Sequence, residues 1–213
     1  GKIRCYGFSW LCGEVPYSCV FPGWGRHVEE LLSGKYPLVA QNYAFEVKWL
    51  LEHAEWKVRT HRKHVEGKVQ WHDTMLMAHC AHEDRNGWRK DELGNLMGPY
   101  ALDALAEDYL PPGAPSKVSL LGKELVEQHG KLAVLFAPLD VLMPYCAWDT
   151  IKELLLFQRF WGEVYHSEAK LPFAKARTDL GAVRLERVAM PAALFLDRVG
   201  TRGLKIGRAN IDV

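Results

Sequence analysis

The chain has 213 residues, 48% of them hydrophobic and 25% charged, with a formal net charge of +1; this suits one compact domain with a sizeable core and argues against a histone-like or tail-type nucleic-acid binder. Its five cysteines, Cys5, Cys12, Cys19, Cys80 and Cys146, are odd in number and form no Cys-x-x-Cys pair, which argues against a disulfide framework and leads us to expect a reducing, cytoplasmic setting. No apolar run approaches the ~20 residues of a membrane helix, so no membrane partner is expected, and the opening residues lack a signal-peptide layout.

Ile3 to Trp10 and Pro16 to Phe21 are rich in aromatic and branched residues and flank a short glycine-containing loop, which predicts an antiparallel hairpin. His27, Val28, Leu31 and Leu32 give Trp24 to Ser33 the pattern of a short amphipathic helix, and Tyr36 to Ala40 reads as a brief buried strand. A helix is expected from Tyr43 to His53, starting just after Asn42. The polar segment Lys57 to Val69 reads as an exposed connection. Asp73 and Thr74 are good cap residues for a helix through Met75, Leu76, Met77 and Ala78. After a polar loop from Asp84 to Gly98, Tyr100 to Tyr109 has helical spacing until Pro111-Pro112-Gly113 stops it. The longest helix is predicted from Pro144, as first helical residue, to Tyr165, and a further helix over Ala174 to Arg198. Strands first and helices later indicate an α/β or α+β core around one small mixed sheet.

Two residue pairs carry potential chemistry. Tyr145 and Asp149 are four apart on a predicted helix and share a face, placing a metal-binding acid beside a phenol able to orient water. A half-buried tyrosine above a solvated aspartate has the same spacing. Asn42 and Glu46 stand where a strand passes into a helix, the usual ligand-binding end of open α/β sheets; equally, Asn42 could cap the helix and Glu46 be a surface acid. Six of the nine histidines (His53, His61, His64, His72, His79, His82) fall in one stretch, but their spacing matches no regular zinc framework. Asp73 reads as a helix cap and not as a metal ligand.

Order and context connect these pieces. Leu38-Val39-Ala40-Gln41-Asn42-Tyr43-Ala44-Phe45-Glu46 resembles the second exonuclease motif of the proofreading domain of family-A DNA polymerases, the bacterial polymerase I group and its phage relatives. Trp71-His72-Asp73-Thr74-Met75 is similar to the helix that follows it, and Tyr100 to Leu110 resembles the next, with its Leu-x-x-Leu-Ala-x-x-Tyr-Leu pattern. Pro144-Tyr145-Cys146-Ala147-Trp148-Asp149 resembles the third motif, Tyr-x-x-x-Asp, and Glu186 to Ile206 looks like the junction at which the family's polymerase portion begins.

The resemblance implies a ribonuclease H-like exonuclease fold over residues 1–168, lacking its first strand, and a helical junction with the start of a polymerase domain over 169–213. It implies two divalent cations, Mg²⁺ or Mn²⁺, held by Glu46 and Asp149, with Tyr145 orienting the attacking water and Asn42 supporting the site or touching the terminal nucleotide. The implied partners are the 3′ end of single-stranded DNA and the polymerase domain of the same parent chain, in a bacterial cytoplasm or phage-infected host. Two departures stand out: Glu46 where the family more often has Asp, and the absence of any Asp-x-Glu, the family's first motif, from these 213 residues. The chain alone is therefore expected to bind catalytic metals poorly and to cleave DNA slowly or not at all, with a scaffold or single-strand-binding module as the alternative.

Overall fold

The fold was obtained as a computed structural model in which residues 3–23, 25, 28, 30, 35–52, 70–82, 84–85 and 87–165 are described. Most of the expected helix at 24–33, the connection at 57–69, the helix at 174–198 and the whole segment 169–213 lie outside the described residues.

Strands β1 (Cys5–Cys12) and β2 (Val15–Pro22) form the antiparallel hairpin, with Cys12 opposite Val15. Gly13, at φ +64°, takes the first position of this two-residue turn, a left-handed conformation that glycine adopts without a Cβ clash. Alternation gives the hairpin two unlike faces. Tyr6 stacks on Phe21 at 5.4 Å and Trp10 on Tyr17 at 6.1 Å on one side. Gly7, Ser9, Ser18 and Val20 make the other side narrow, and the long helix Leu139–Tyr165 lies on it.

The parallel pair β3 (Leu38–Ala40) and β4 (Trp71–Asp73) aligns Ala40 with Asp73. Helix α1 (Tyr43–Glu52) leaves the end of β3, and α2 (Thr74–Ala81) the end of β4. One buried carboxylate organises both exits. Asp73 accepts backbone N–H bonds from Met75 (2.9 Å) and Leu76 (3.2 Å) as the cap of α2, and from Asn42 (3.2 Å) and Tyr43 (2.8 Å) at the start of α1. The helix-cap reading of Asp73 is thereby met and extended, since one side chain serves two helix N-termini.

A small hairpin, β5 (Arg89–Lys90) with β6 (Leu96–Met97), interrupts the polar loop. Helix α3 (Leu102–Tyr109) follows, then α4 (Lys117–Leu121), α5 (Lys123–His129), a 3₁₀ turn (Gly130–Leu132) and α6 (Ala133–Phe136). The sequence reading assigns no helix between Gly113 and Pro144; these are short pieces punctuated by Gly122 (φ +88°) and Gly130 (φ +54°), too brief for a clear periodicity.

Helix α7 (Leu139–Tyr165) begins ahead of Pro144, which lies inside it. The Pro138 carbonyl accepts the first helical bonds, from Val141 (3.2 Å) and Leu142 (2.8 Å), so Pro144 lies two residues past the first i→i−4 bond and leaves the Asp140 carbonyl without its helical N–H partner. Leu142 packs with Leu121, Val126, Ala133 and Ala137. Leu156, Phe160 and Val164, at spacing four, meet Met77, Ala78 and Leu105 in a second core. Between these, α7 crosses the narrow face of the hairpin: Ser9 Oγ donates to Thr150 Oγ1 at 2.5 Å and Ser18 Oγ lies 3.0 Å from it. A Cβ on Gly7 would stand 3.1 Å from Cys146 Sγ and 3.2 Å from Thr150 Cγ2, so glycine is what lets the helix come this close.

The architecture is mixed α/β, with small sheets flanked by helices. It differs from the expected single mixed sheet: among the described residues the strands form three separate two-stranded ladders. β1 hydrogen-bonds β2 on one edge and β3 hydrogen-bonds β4 on one edge, and no ladder joins β1 to β3. Between them runs an elongated slot floored by α7. The Tyr6–Phe8 segment and Leu38 nevertheless share a core with Val28, Ala40, Tyr43 and Val47.

Candidate active site

The slot opens into two adjoining cavities. The first, of about 520 Å³, lies between the beginning of β1 and the end of β3; Glu46, Tyr145, Asp149 and Glu153 line it. The second, of about 1050 Å³, continues between Ser9-Trp10 and the beginning of β3, over Glu153, Phe157 and Trp161. Gly7, Phe8, Leu38, Val39, Thr150 and Glu153 border both. β1 thus runs from the first cavity to the second, and β3 from the second to the first.

Each acid reaches the first cavity by simple local geometry. Asn42, at φ +61°, is the one non-glycine residue with positive φ among the described residues; asparagine tolerates this region better than most L-residues. This bend, tied by Asp73, starts α1 and sets Glu46 in its first turn. On α7, Tyr145, Asp149 and Glu153 follow at intervals of four and share one face.

The electrostatics are those of enclosed acids facing each other. Burial, reinforced by the Asp149 charge, pushes the Glu46 carboxyl up to about 7. Burial also raises Asp149, to about 6, although the Lys152 ammonium and a hydrogen bond from the Tyr145 hydroxyl work against the rise. Glu153 is held well above the usual carboxylate range by burial and then by Glu46, Asp149 and Asp73. Burial and the Asp149 charge drive the Tyr145 phenol upward, so it stays protonated and can donate to Asp149 or a water but cannot serve as a base.

The structure therefore brings together three of the four residues singled out from sequence, Glu46, Tyr145 and Asp149. Glu46 is not the surface acid of the plainer reading. Asn42 is exposed and does not line the cavity; its observed contributions are its backbone N–H to Asp73 and its carbonyl, which accepts from Phe45 N at 2.8 Å. Trp148 is 36% exposed and also lies outside the lining. Sequence reasoning missed Glu153, which extending the Tyr145–Asp149 spacing by one more turn would have found, and Lys152, whose burial no local pattern announces. Of the clustered histidines, His72 packs between Phe157 and Trp161, His79 stacks on Tyr100, and His82 stacks on Tyr109 and pairs with Glu163 at 2.7 Å. His53, His61 and His64 lie outside the described residues.

The donors fit a hard divalent cation in kind, since Mg²⁺ and Mn²⁺ take carboxylate oxygens. Asp149 Oδ1 is buried and accepts no hydrogen bond, with Lys152 Nζ at 3.6 Å. In number they are incomplete: among the described residues no three His, Cys, Asp or Glu side chains converge to hold a metal ion. No helix of the described residues is long and apolar enough to cross a membrane. Comparison with known proteins finds no matching family model, no matching curated protein and no matching solved structure.

Proposed function

We propose that the chain is the 3′–5′ exonuclease portion of a family-A type proofreading DNA polymerase, with a ribonuclease H-like fold and phosphodiester hydrolysis at the Glu46–Asp149 cavity. The observation that carries this reading is the meeting of Glu46, Tyr145 and Asp149, distant in sequence, at the end of β3 and against one face of α7. The slot supports the fold. A strand laid in it would run antiparallel to β1 and parallel to β3, joining the two ladders into one mixed sheet ordered β2, β1, the added strand, β3, β4. An acid pair of Asp-x-Glu type on that strand would face the first cavity and supply the donors now short in number.

Glu46 and Asp149 would hold the cation, Mg²⁺ or Mn²⁺, one ion with the present residues and a second with added carboxylates. Bound there, a divalent cation supplies charge for the leaving oxygen and acidifies a water for in-line attack on the terminal phosphodiester. Tyr145, kept protonated beside Asp149, would orient that water. The second cavity leads from Glu153 away from Glu46 and Asp149, along an aromatic wall.

The test is release of mononucleotides from a 5′-labelled single-stranded DNA with Mg²⁺ or Mn²⁺, comparing the 213-residue chain with one carrying an added strand that contains Asp-x-Glu. Slow or absent cleavage by the first, rapid 3′ to 5′ shortening by the second and complete inhibition by EDTA are expected. An extended protein that folds and binds metal but leaves the DNA intact refutes the nuclease reading. The lack of a three-ligand set favours a second reading, a scaffold or single-strand-binding module, which predicts DNA retention without cleavage in both proteins.

A further inference from the structure

Lys152 is 2% exposed on α7. A lysine ammonium is buried this far only when it is paired. Its Nζ donates to Asp103 Oδ1 of α3 at 2.7 Å and lies 3.6 Å from Asp149 Oδ1, one turn back on its own helix. That Asp149 oxygen is buried and accepts no hydrogen bond, and among the described residues Lys152 is the cation that stands against it. Lys152 is thus shared between an acid that faces a solvent-open pocket beside α3, where Asp103 is 31% exposed, and the acid that faces the first cavity.

Resting on the metal-dependent reading above, we infer that Lys152 is a positioning residue that tunes how strongly the cavity holds a divalent cation at Asp149, and that Asp103 sets that tuning by drawing the ammonium away. A unit positive charge beside a carboxylate opposes a second cation on the same carboxylate, the more so where water is scarce. The shorter Asp103 contact, 2.7 Å against 3.6 Å, holds the ammonium closer to α3 than to Asp149. Loss of the Asp103 charge leaves Asp149 as the acid facing Lys152 among the described residues.

Two variants are therefore expected to move metal affinity in opposite directions. Lys152→Gln keeps a polar group of similar reach and removes the charge; Asp103→Asn keeps the shape and removes the charge that draws the ammonium towards α3. Mn²⁺ binding to the 213-residue chain is measured by titration calorimetry and by the loss of the free-ion electron paramagnetic resonance signal, without DNA, with circular dichroism to check folding. Lys152→Gln should bind Mn²⁺ roughly ten-fold tighter and Asp103→Asn several-fold weaker than the parent. A disturbance of packing alone would weaken both. Measurable binding in the parent with both variants unchanged, or both shifted the same way, overturns the role of Lys152 while leaving the nuclease reading intact. Should Lys152→Gln fail to fold, Asp103→Asn decides: weaker binding supports the inference, and equal or tighter binding overturns it. If neither the parent nor either variant binds Mn²⁺ at millimolar concentration, with or without the added Asp-x-Glu strand, the metal-dependent reading and the role of Lys152 both fall.

Discussion

Glu46→Gln separates a buried, mutually repelling acid from a surface one. Burial and the Asp149 charge raise the Glu46 carboxyl from 4.5 to about 7. Between those values the folded chain binds more protons than the unfolded chain, so stability falls as pH rises through this window and the full cost is present above about 7. A shift of this size corresponds to on the order of 3 kcal/mol. Glutamine fills nearly the same volume and carries no charge at any pH. In EDTA, Glu46→Gln should therefore be more stable than the parent at pH ~8.5, by about 2–3 kcal/mol, and nearly equal to it at pH ~4.5. For a domain of this size that is roughly 4–12 °C in Tm at the upper pH. Thermal unfolding followed by circular dichroism across the pH range reads the difference directly. Curves for the two proteins that run parallel from acid to alkaline pH would refute the enclosed Glu46–Asp149 arrangement. The same scans with Mn²⁺ add a second reading, since the variant should lose the cation-dependent rise in Tm that the parent shows.

Tyr145→Phe removes the hydroxyl that helps keep Asp149 ionised, so on the extended, Asp-x-Glu-containing protein the acidic limb of the pH–rate profile should move to higher pH and kcat fall about ten-fold or more with little change in KM. An unchanged profile would exclude the hydrogen bond. Asp73→Ala strips the acceptor from four backbone N–H groups at a 2% exposed position and should cost about 3 kcal/mol or more in urea unfolding, against under ~1 kcal/mol if it capped only an exposed helix end. Gly7→Val pushes branched carbons into Cys146 and Thr150 and should destabilise by about 1–3 kcal/mol; a neutral result would mean that α7 does not rest on the hairpin. Nuclease activity of the extended protein should climb between about pH 6 and about pH 8 as Glu46 and Asp149 ionise, because metal binding needs both as carboxylates.

Much of the local structure was legible because local rules govern it. The hairpin follows from alternating aromatics around Gly13, the exit of α2 from the Asp73-Thr74 cap, and most of α7 from apolar spacing. Its start was misplaced because Pro144 looks like a first helical residue, whereas the Pro138 carbonyl takes that part. The short helices from Lys117 to Phe136 escaped notice, since four to seven residues carry too little periodicity to register and are held by Leu121, Val126, Ala133 and Ala137 packing on Leu142.

The same division applies to the site. The sequence by itself determined which residue types stand at the strand end and on the helix: Asn42 and Glu46 across a bend, Tyr145 and Asp149 on one face. Spacing within one helix or at one junction is set by the backbone alone, so those pairs could be read without coordinates. Only the tertiary structure decided that Glu46 faces Asp149, that Glu153 joins them, that Lys152 is drawn between Asp103 and Asp149, and that β1 and β3 stand apart with a slot between them. Such relations depend on how α7 packs across two ladders, and charge repulsion, desolvation and open strand edges arise only when that packing brings distant segments together.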